Sequence, residues 1–277
     1  MFKSMFEPLS IGPMKVNNRF VVPPMSNNYA VASGELSERS LAYYQERAKG
    51  GFGLITIEAT VIDPTAKGGL RKHCLFDDSQ VSALKKVVDA CHLYGSKIMI
   101  QLQHAGPEGS AKAAGYPLKS ASRVQAAFSK DIPLEMTTKQ IYELVEIYGD
   151  AALRAKKAGI DAVEIHMAHG YLVSSFISPQ TNKRVDEFGG CFENRMRLPK
   201  LIIENIRQKV GYNIAVLARI NSCDEVTGGL TVEDSMAVAS YLENLGIDVS
   251  RSIHLKDEYM WAPAAIHQGF NLEHVKS

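Results

Sequence analysis

The sequence predicts an α/β fold, a parallel sheet covered by helices, and three observations predict it. Short apolar runs alternate with amphipathic helical stretches six times along the chain. The runs are nearly continuous in Val, Ile, Leu and Ala and read as strands buried on both faces. Each of the five clear helical stretches stops at a glycine lying close before the next run, as short helix-to-strand connections do. A doubly wound sheet and a (β/α)8 barrel both fit this order. No GxGxxG follows the first strand, which weighs against a dinucleotide-binding open sheet.

Arg19-Phe20-Val21-Val22 is a short strand stopped by Pro23-Pro24, whose rings end pairing and extend the exit. A helix over Ser37 to Lys49 follows, ended by Gly50-Gly51. Gly53 to Glu58 is the second strand, with Ala59-Thr60 at its end. Ser79 to Tyr94 is a helix in which Val81, Leu84, Val88 and Cys91 recur at helical spacing, with Ser79 as cap and Gly95 as stop. Lys97 to Gln101 is the third strand. Residues 107–136 are irregular, and a connection of that length contributes to a site. Thr137 and Gln140 form a capping box for a helix that places Ile141, Leu144, Tyr148, Ala152 and Ala155 on one face and ends at Gly159. The fourth strand opens DAVEIHMAHGY (Asp161–Tyr171). A helix over Glu193 to Val210, a strand over Ala215 to Arg219, a helix over Thr231 to Leu245 and a strand over Gly246 to Ser250 complete the pattern. A loop with Trp261 and Pro263 and a helical turn from Asn271 come last.

The chain has 277 residues, 45% hydrophobic and 22% charged, which suits one large domain over 1–277. A net charge of +1 offers no electrostatic basis for binding nucleic acid or an anionic membrane. The opening MFKSMFEPLSIG has no apolar signal core, and no run approaches membrane-spanning length, so a cytoplasmic location is expected. The four cysteines are scattered with no CxxC pair, which supports neither a zinc knuckle nor an iron–sulfur site within this stretch.

The strand ends carry the chemistry. Pro24-Met25, Ala59, Gln101 with His104 beyond it, His166 with His169 and Tyr171, and Arg219 each terminate a strand, and in a barrel such ends meet on one face. The set lacks the carboxylate pair of a glycosidase and a strand-end Schiff-base lysine. It suits a flat polar heterocycle. Gln101 can donate and accept along an amide-like ring edge, Arg219 can stabilise negative charge arising on the ring, the histidines can donate to a carbonyl oxygen, and Tyr171 can deliver a proton.

At NRFVVPPM (Asn18–Met25), YYQERAKGGFGLITIEAT (Tyr43–Thr60), QLQHAG (Gln101–Gly106), EIHMAHGYLVSSFISPQTNKRVDEFGG (Glu164–Gly190), FENRMR (Phe192–Arg197) and Arg219, the sequence resembles the old yellow enzyme family of FMN-dependent ene-reductases. It resembles most the branch of 2,4-dienoyl-CoA reductases, enoate reductases and bile-acid reductases. The resemblance implies a (β/α)8 barrel. It also implies that Pro24, Met25 and Ala59 pack around FMN, that Gln101 binds the pyrimidine edge and Arg219 the N1–C2 side, and that His166 also touches the flavin. His166 and His169 would hold the carbonyl oxygen of an enone, enoate or enoyl thioester, and Tyr171 would protonate its α-carbon. NAD(P)H would be the reductant, with alternating half-reactions.

Three departures accompany it. Pro107 stands where an arginine is common, and Ser250-Arg251-Ser252 stands where a smaller segment is usual, so that Arg251 reshapes the pocket. The third is length: the barrel expected here is incomplete, with about six βα units and without strands seven and eight, whose loops hold the FMN phosphate in the family. A 4Fe-4S cluster and an FAD domain belong only to longer relatives. Two alternatives follow: a truncated, non-catalytic chain that persists as a homo-oligomer by pairing its open edges, and a metal-dependent barrel hydrolase using His104, His166 and His169.

Overall fold

The chain enters through an antiparallel hairpin of β1 (Leu9–Ile11) and β2 (Met14–Val16). The computed structural model describes residues 3–126 and 129–253, with side chains through 250. Gly12 makes the turn at φ +52°, and a Cβ there would meet Asp248 Oδ1 at 2.2 Å, so only glycine fits. The sheet strands follow as β3 (Val21–Val22), β4 (Leu54–Val61) and β5 (Lys97–Gln103). A small separate pair, β6 (Lys119–Ser120) and β7 (Leu134–Glu135), then precedes β8 (Ala162–Met167), β9 (Ala215–Asn221) and β10 (Val249–Ile253).

The large sheet runs β3-β4-β5-β8-β9-β10, every pair parallel. Each new strand is added to the same edge as the last. A doubly wound sheet must reverse this order at a switch point, whereas a (β/α)8 barrel never does. The observed order is that of six successive barrel strands.

The helices are α1 (Glu38–Lys49), α2 (Val81–His92), α3 (Ala111–Ala114), α4 (Thr138–Lys157), α5 (Leu172–Ile177), α6 (Phe192–Arg195), α7 (Arg197–Val210) and α8 (Val232–Asn244). Capping boxes at Ser37, Thr137 and Thr231 start α1, α4 and α8. Two expectations change. The cap before α2 is Asp77, not Ser79: Asp77 accepts from the Ser79 N–H and forms a box with Gln80, adding a 3-10 turn ahead of the helix. The helix expected over Glu193 to Val210 is interrupted at Met196 into α6 and α7. Among the described residues, no helix is long and apolar enough to cross a membrane. The segment with Trp261 and Pro263, the turn from Asn271 and the Arg251 side chain lie outside the described residues.

The two faces of the sheet differ in chemistry. On the outer face Ile55, Ile57, Ile98, Ile100, Val163, Ile165, Val216 and Ala218 join the main core with residues of the covering helices. Each buried aliphatic side chain stabilises by roughly 1.5–3 kcal/mol. On the inner face, Leu54, Met99, Ala162, Ala215 and Leu217 at the amino ends pack against Ile11, Met14 and Val16 of the hairpin. Above this apolar floor the inner positions turn polar: Thr56 and Glu58 on β4, Gln101 and Gln103 on β5, Glu164 and His166 on β8, Arg219 and Asn221 on β9. The strands therefore do alternate, contrary to the nearly apolar runs expected. They also extend two or three residues past most of the expected ends, because a polar side chain facing the interior does not stop a strand.

Candidate functional site

The register assembles the site. Gln101 pairs with Glu164 across β5 and β8, and His166 with Arg219 across β8 and β9, so all four project from one face. Gln101 and Arg219 lie within the sheet rather than at its tip. Gln101 Nε2 donates to Glu164 Oε1 at 2.7 Å, with both side chains buried. The carboxylate thereby decides which edge of the Gln101 amide remains for a ligand. Glu164 is a site residue that the apolar-run reading missed, and the period-two pattern of VEIH, QLQ and ARIN is the signal that reveals it.

β8 leads into the loop of His169, Gly170 and Tyr171. His169 lies at φ +60°, the left-handed region, and its N–H donates to Asn221 Oδ1 at 2.9 Å. The rings form one cluster. His166 is 4.9 Å from His169 and 4.8 Å from Tyr171 between centroids, each pair edge to face. The Ala168 N–H donates to His166 Nδ1 at 3.3 Å, so neutral His166 carries its proton on Nε2. That nitrogen lies 3.2 Å from His169 Nδ1, which then accepts and leaves His169 Nε2–H as a donor.

Electrostatics keep His169 and Tyr171 neutral. Burial, aided by the Arg219 guanidinium, pushes His169 down from 6.5 to about 3. Tyr171 is raised above 10 by burial, opposed by a hydrogen bond with Gln103 and reinforced by the charge of Glu108. Tyr171 therefore holds its proton across the neutral range.

The remaining expected residues occupy neighbouring strand ends. Pro24 and Met25 are half-buried in the exit from β3, and Ala59 is buried at a register shift between Ile57 and Thr60. Glu58 ties the two together, since its Oε2 accepts the Asn27 N–H at 3.2 Å. Burial raises Glu58 to about 7, against the opposing pull of Lys72 and the N–H groups of Asn27 and Asn28. His104 is not part of the histidine cluster's hydrogen bonding. Its Nδ1 accepts from the Gly106 N–H and burial holds it neutral. No group of three or more His, Cys, Asp or Glu among the described residues could hold a metal ion, so the hydrolase alternative gains no support.

The motif TNKRVDEFGG is structural. Buried Arg184 donates to the carbonyls of Ala121 and Met136 and pairs with Asp186, while Asn194 donates to the Gly189 carbonyl. The described residues of the 107–136 connection, 107–126 and 129–136, pack beside it rather than forming an open loop, through the β6–β7 pair and the Ala121 N–H to Ser175 Oγ.

The model of the NADH:flavin oxidoreductase / NADH oxidase family matches residues 4–270. The NADH oxidase of Thermoanaerobacter brockii is 37% identical over 276 residues, covering 98% of this chain and 42% of that protein. Among solved structures, a 2-naphthoyl-CoA reductase in complex with 2-naphthoyl-CoA superposes with TM-score 0.89 at 30% identity, over 93% of this chain and 41% of that one. An old yellow enzyme homologue from Zymomonas mobilis superposes with TM-score 0.81 at 30% identity, over 90% of this chain and 73% of that one. The chain thus spans less than half the length of the first two. With six sequential barrel strands, a polar inner layer and a match along nearly its whole length, the chain belongs to the NADH:flavin oxidoreductase / NADH oxidase family, that of the old yellow enzymes.

Proposed function

We propose that residues 1–277 form one barrel domain that binds FMN at the carboxyl ends of the strands and uses NAD(P)H to reduce the C=C bond of an α,β-unsaturated carbonyl compound. The observation that carries this reading is the edge-to-face cluster of His166, His169 and Tyr171 beside an inner layer holding Gln101 and Arg219. These residues fit the cofactor: a buried carboxamide with one edge fixed, a guanidinium on the same face two strands away, and small or apolar Ala59, Pro24 and Met25 on the neighbouring ends. Gln101 would bind the pyrimidine edge and Arg219 the N1–C2 side, where it favours negative charge. When bound, FMN supplies hydride to the β-carbon of the alkene.

The chain's own residues do the rest. The Nε2–H of His169 holds the carbonyl oxygen and draws electron density from the alkene, while the His166 Nε2–H, engaged by His169 Nδ1, acts through His169 rather than on the oxygen directly. His169 stays neutral above about pH 4, so it polarises by hydrogen bonding and does not compete as an acid. Tyr171 donates its phenolic proton to the α-carbon. The likeness to a reductase solved with a CoA thioester favours conjugated thioesters, enoates or enones as substrates.

The test is reconstitution of the purified chain with FMN, followed by anaerobic reduction with NADH or NADPH and mass analysis of the product from an added enone. Flavin uptake with saturated product supports the reading. A chain that takes up no FMN overturns it and favours the non-catalytic alternative, which light scattering would then examine as an oligomer.

A further inference from the structure

His169 holds a left-handed backbone that its own β-carbon disfavours, within a turn that the Tyr171 N–H closes on the Ala168 carbonyl at 3.3 Å. A second restraint comes from the next strand. Asn221, buried at the end of β9, accepts the His169 N–H through Oδ1 at 2.9 Å. Its own amide is oriented in turn, because Nδ2–H donates to Asp224 Oδ1 at 2.9 Å. The second oxygen of Asp224 accepts the Ser178 hydroxyl at 2.6 Å and the Leu230 N–H at 2.9 Å. Ser178 closes α5, the helix that begins directly after Tyr171. One carboxylate therefore links the loop of His169, the helix behind Tyr171 and the loop between β9 and α8.

The polarity of this chain of bonds matters more than its number. A carboxylate can only accept, so Asp224 obliges Asn221 to turn its NH2 inward and its oxygen toward His169. An amide turned the other way would set N–H against N–H and release the histidine. From this backbone position the ring of His169 reaches His166 Nε2 at 3.2 Å.

We propose that Asn221, oriented by Asp224, is a positioning residue that sets His169 for recognition of the substrate carbonyl. The catalytic half of this proposal rests on the ene-reductase reading above; the brace itself does not. Reversing the polarity tests it. In Asn221→Asp two carboxylates face each other. In Asp224→Asn the new amide keeps an oxygen for Ser178 and Leu230 but offers NH2 to the NH2 of Asn221. In the double variant N221D/D224N every bond is restored, with donor and acceptor exchanged only between residues 221 and 224.

The four proteins are compared, loaded with FMN, by hydrogen exchange at the His169 amide and by steady-state reduction of 2-cyclohexenone. Each single variant is expected to exchange the His169 amide at least tenfold faster and to lose at least tenfold in kcat/KM, with much of the loss in KM. The double variant is expected to return to within about threefold of the parent in both. Single variants with parental exchange and KM, or a double variant as impaired as both singles combined, overturn the proposal. If N221D does not fold, D224N against the double variant decides in the same way. A parent protein that reduces no enone while exchange follows this pattern upholds the brace and overturns the reductase reading alone.

Discussion

Glu164 sets the edge that Gln101 presents, and replacing it should weaken flavin binding by an amount the geometry allows to be estimated. The bond is short, 2.7 Å from Gln101 Nε2 to Glu164 Oε1, and the two residues are 1% and 0% exposed. A hydrogen bond to a charged group at such a site is worth about 1.5–3 kcal/mol net. In Glu164→Gln the new amide oxygen can still accept, but a neutral bond keeps roughly half that strength. The loss is then about 1 kcal/mol, near fivefold in affinity. Glu164→Leu removes the acceptor and strands a buried N–H, at about 1–3 kcal/mol, or roughly 5- to 150-fold. Titrating the flavin-free protein with FMN, read by fluorescence quenching, measures the affinity, and urea unfolding measures the part that falls on stability. A double-mutant cycle with Gln101→Leu should show a coupling of at least ~1 kcal/mol. Parental FMN affinity in Glu164→Leu, or strict additivity in the cycle, would refute the claim that Glu164 acts through Gln101.

Removing the hydroxyl in Tyr171→Phe should slow alkene reduction by about 10²- to 10⁴-fold, as loss of a positioned acid does, while stopped-flow flavin reduction by NAD(P)H changes little. The His169 ring should not titrate near pH 6.5, because it is neutral down to about 3; an NMR titration of that imidazole with a midpoint near 6.5 would contradict its environment. Glu58, raised from 4.5 to about 7 in the fold, binds more protons folded than unfolded between those values. Its contribution is therefore fully present below 4.5 and lost as pH rises through 7, and Glu58→Gln should remove up to about 3 kcal/mol of that pH dependence in urea unfolding at pH 5 and pH 8. Arg207 pairs with Asp248 at 2.8 Å and donates to the Gly246 and Ile214 carbonyls, so Arg207→Ala should cost about 3–5 kcal/mol and lower Tm by roughly 10 °C. Calorimetry checks this, and Tm within a degree of the parent would show the pair to be dispensable.

What could be read from the residues alone divides along physical lines. Helices announce themselves through short-range chemistry, and Thr137 with Gln140 or Thr231 before α8 behave as expected because a cap depends on neighbours three residues away. Strand ends depend on what the interior holds. Glu58, Gln101 and Arg219 look like terminators of apolar runs, yet each continues its strand because the inner layer above the apolar floor is built of polar groups. The set His166, His169 and Tyr171 was legible because the loop brings them together over a few residues. Asn221 and Glu164 were not, since their partners are 52 and 63 residues away and only the register reveals them. The opening hairpin escaped notice for the same reason: Ile11, Met14 and Val16 make sense only against strands that follow much later.

That hairpin has a consequence for change over time. It anchors the strands by oil-like contacts at the end remote from the chemistry, so the loops that choose a substrate are relieved of holding the sheet together. Variation can accumulate at the rim without eroding the foundation, whereas a polar intrusion at Met14 would reduce the yield of folded protein and leave its substrate preference untouched.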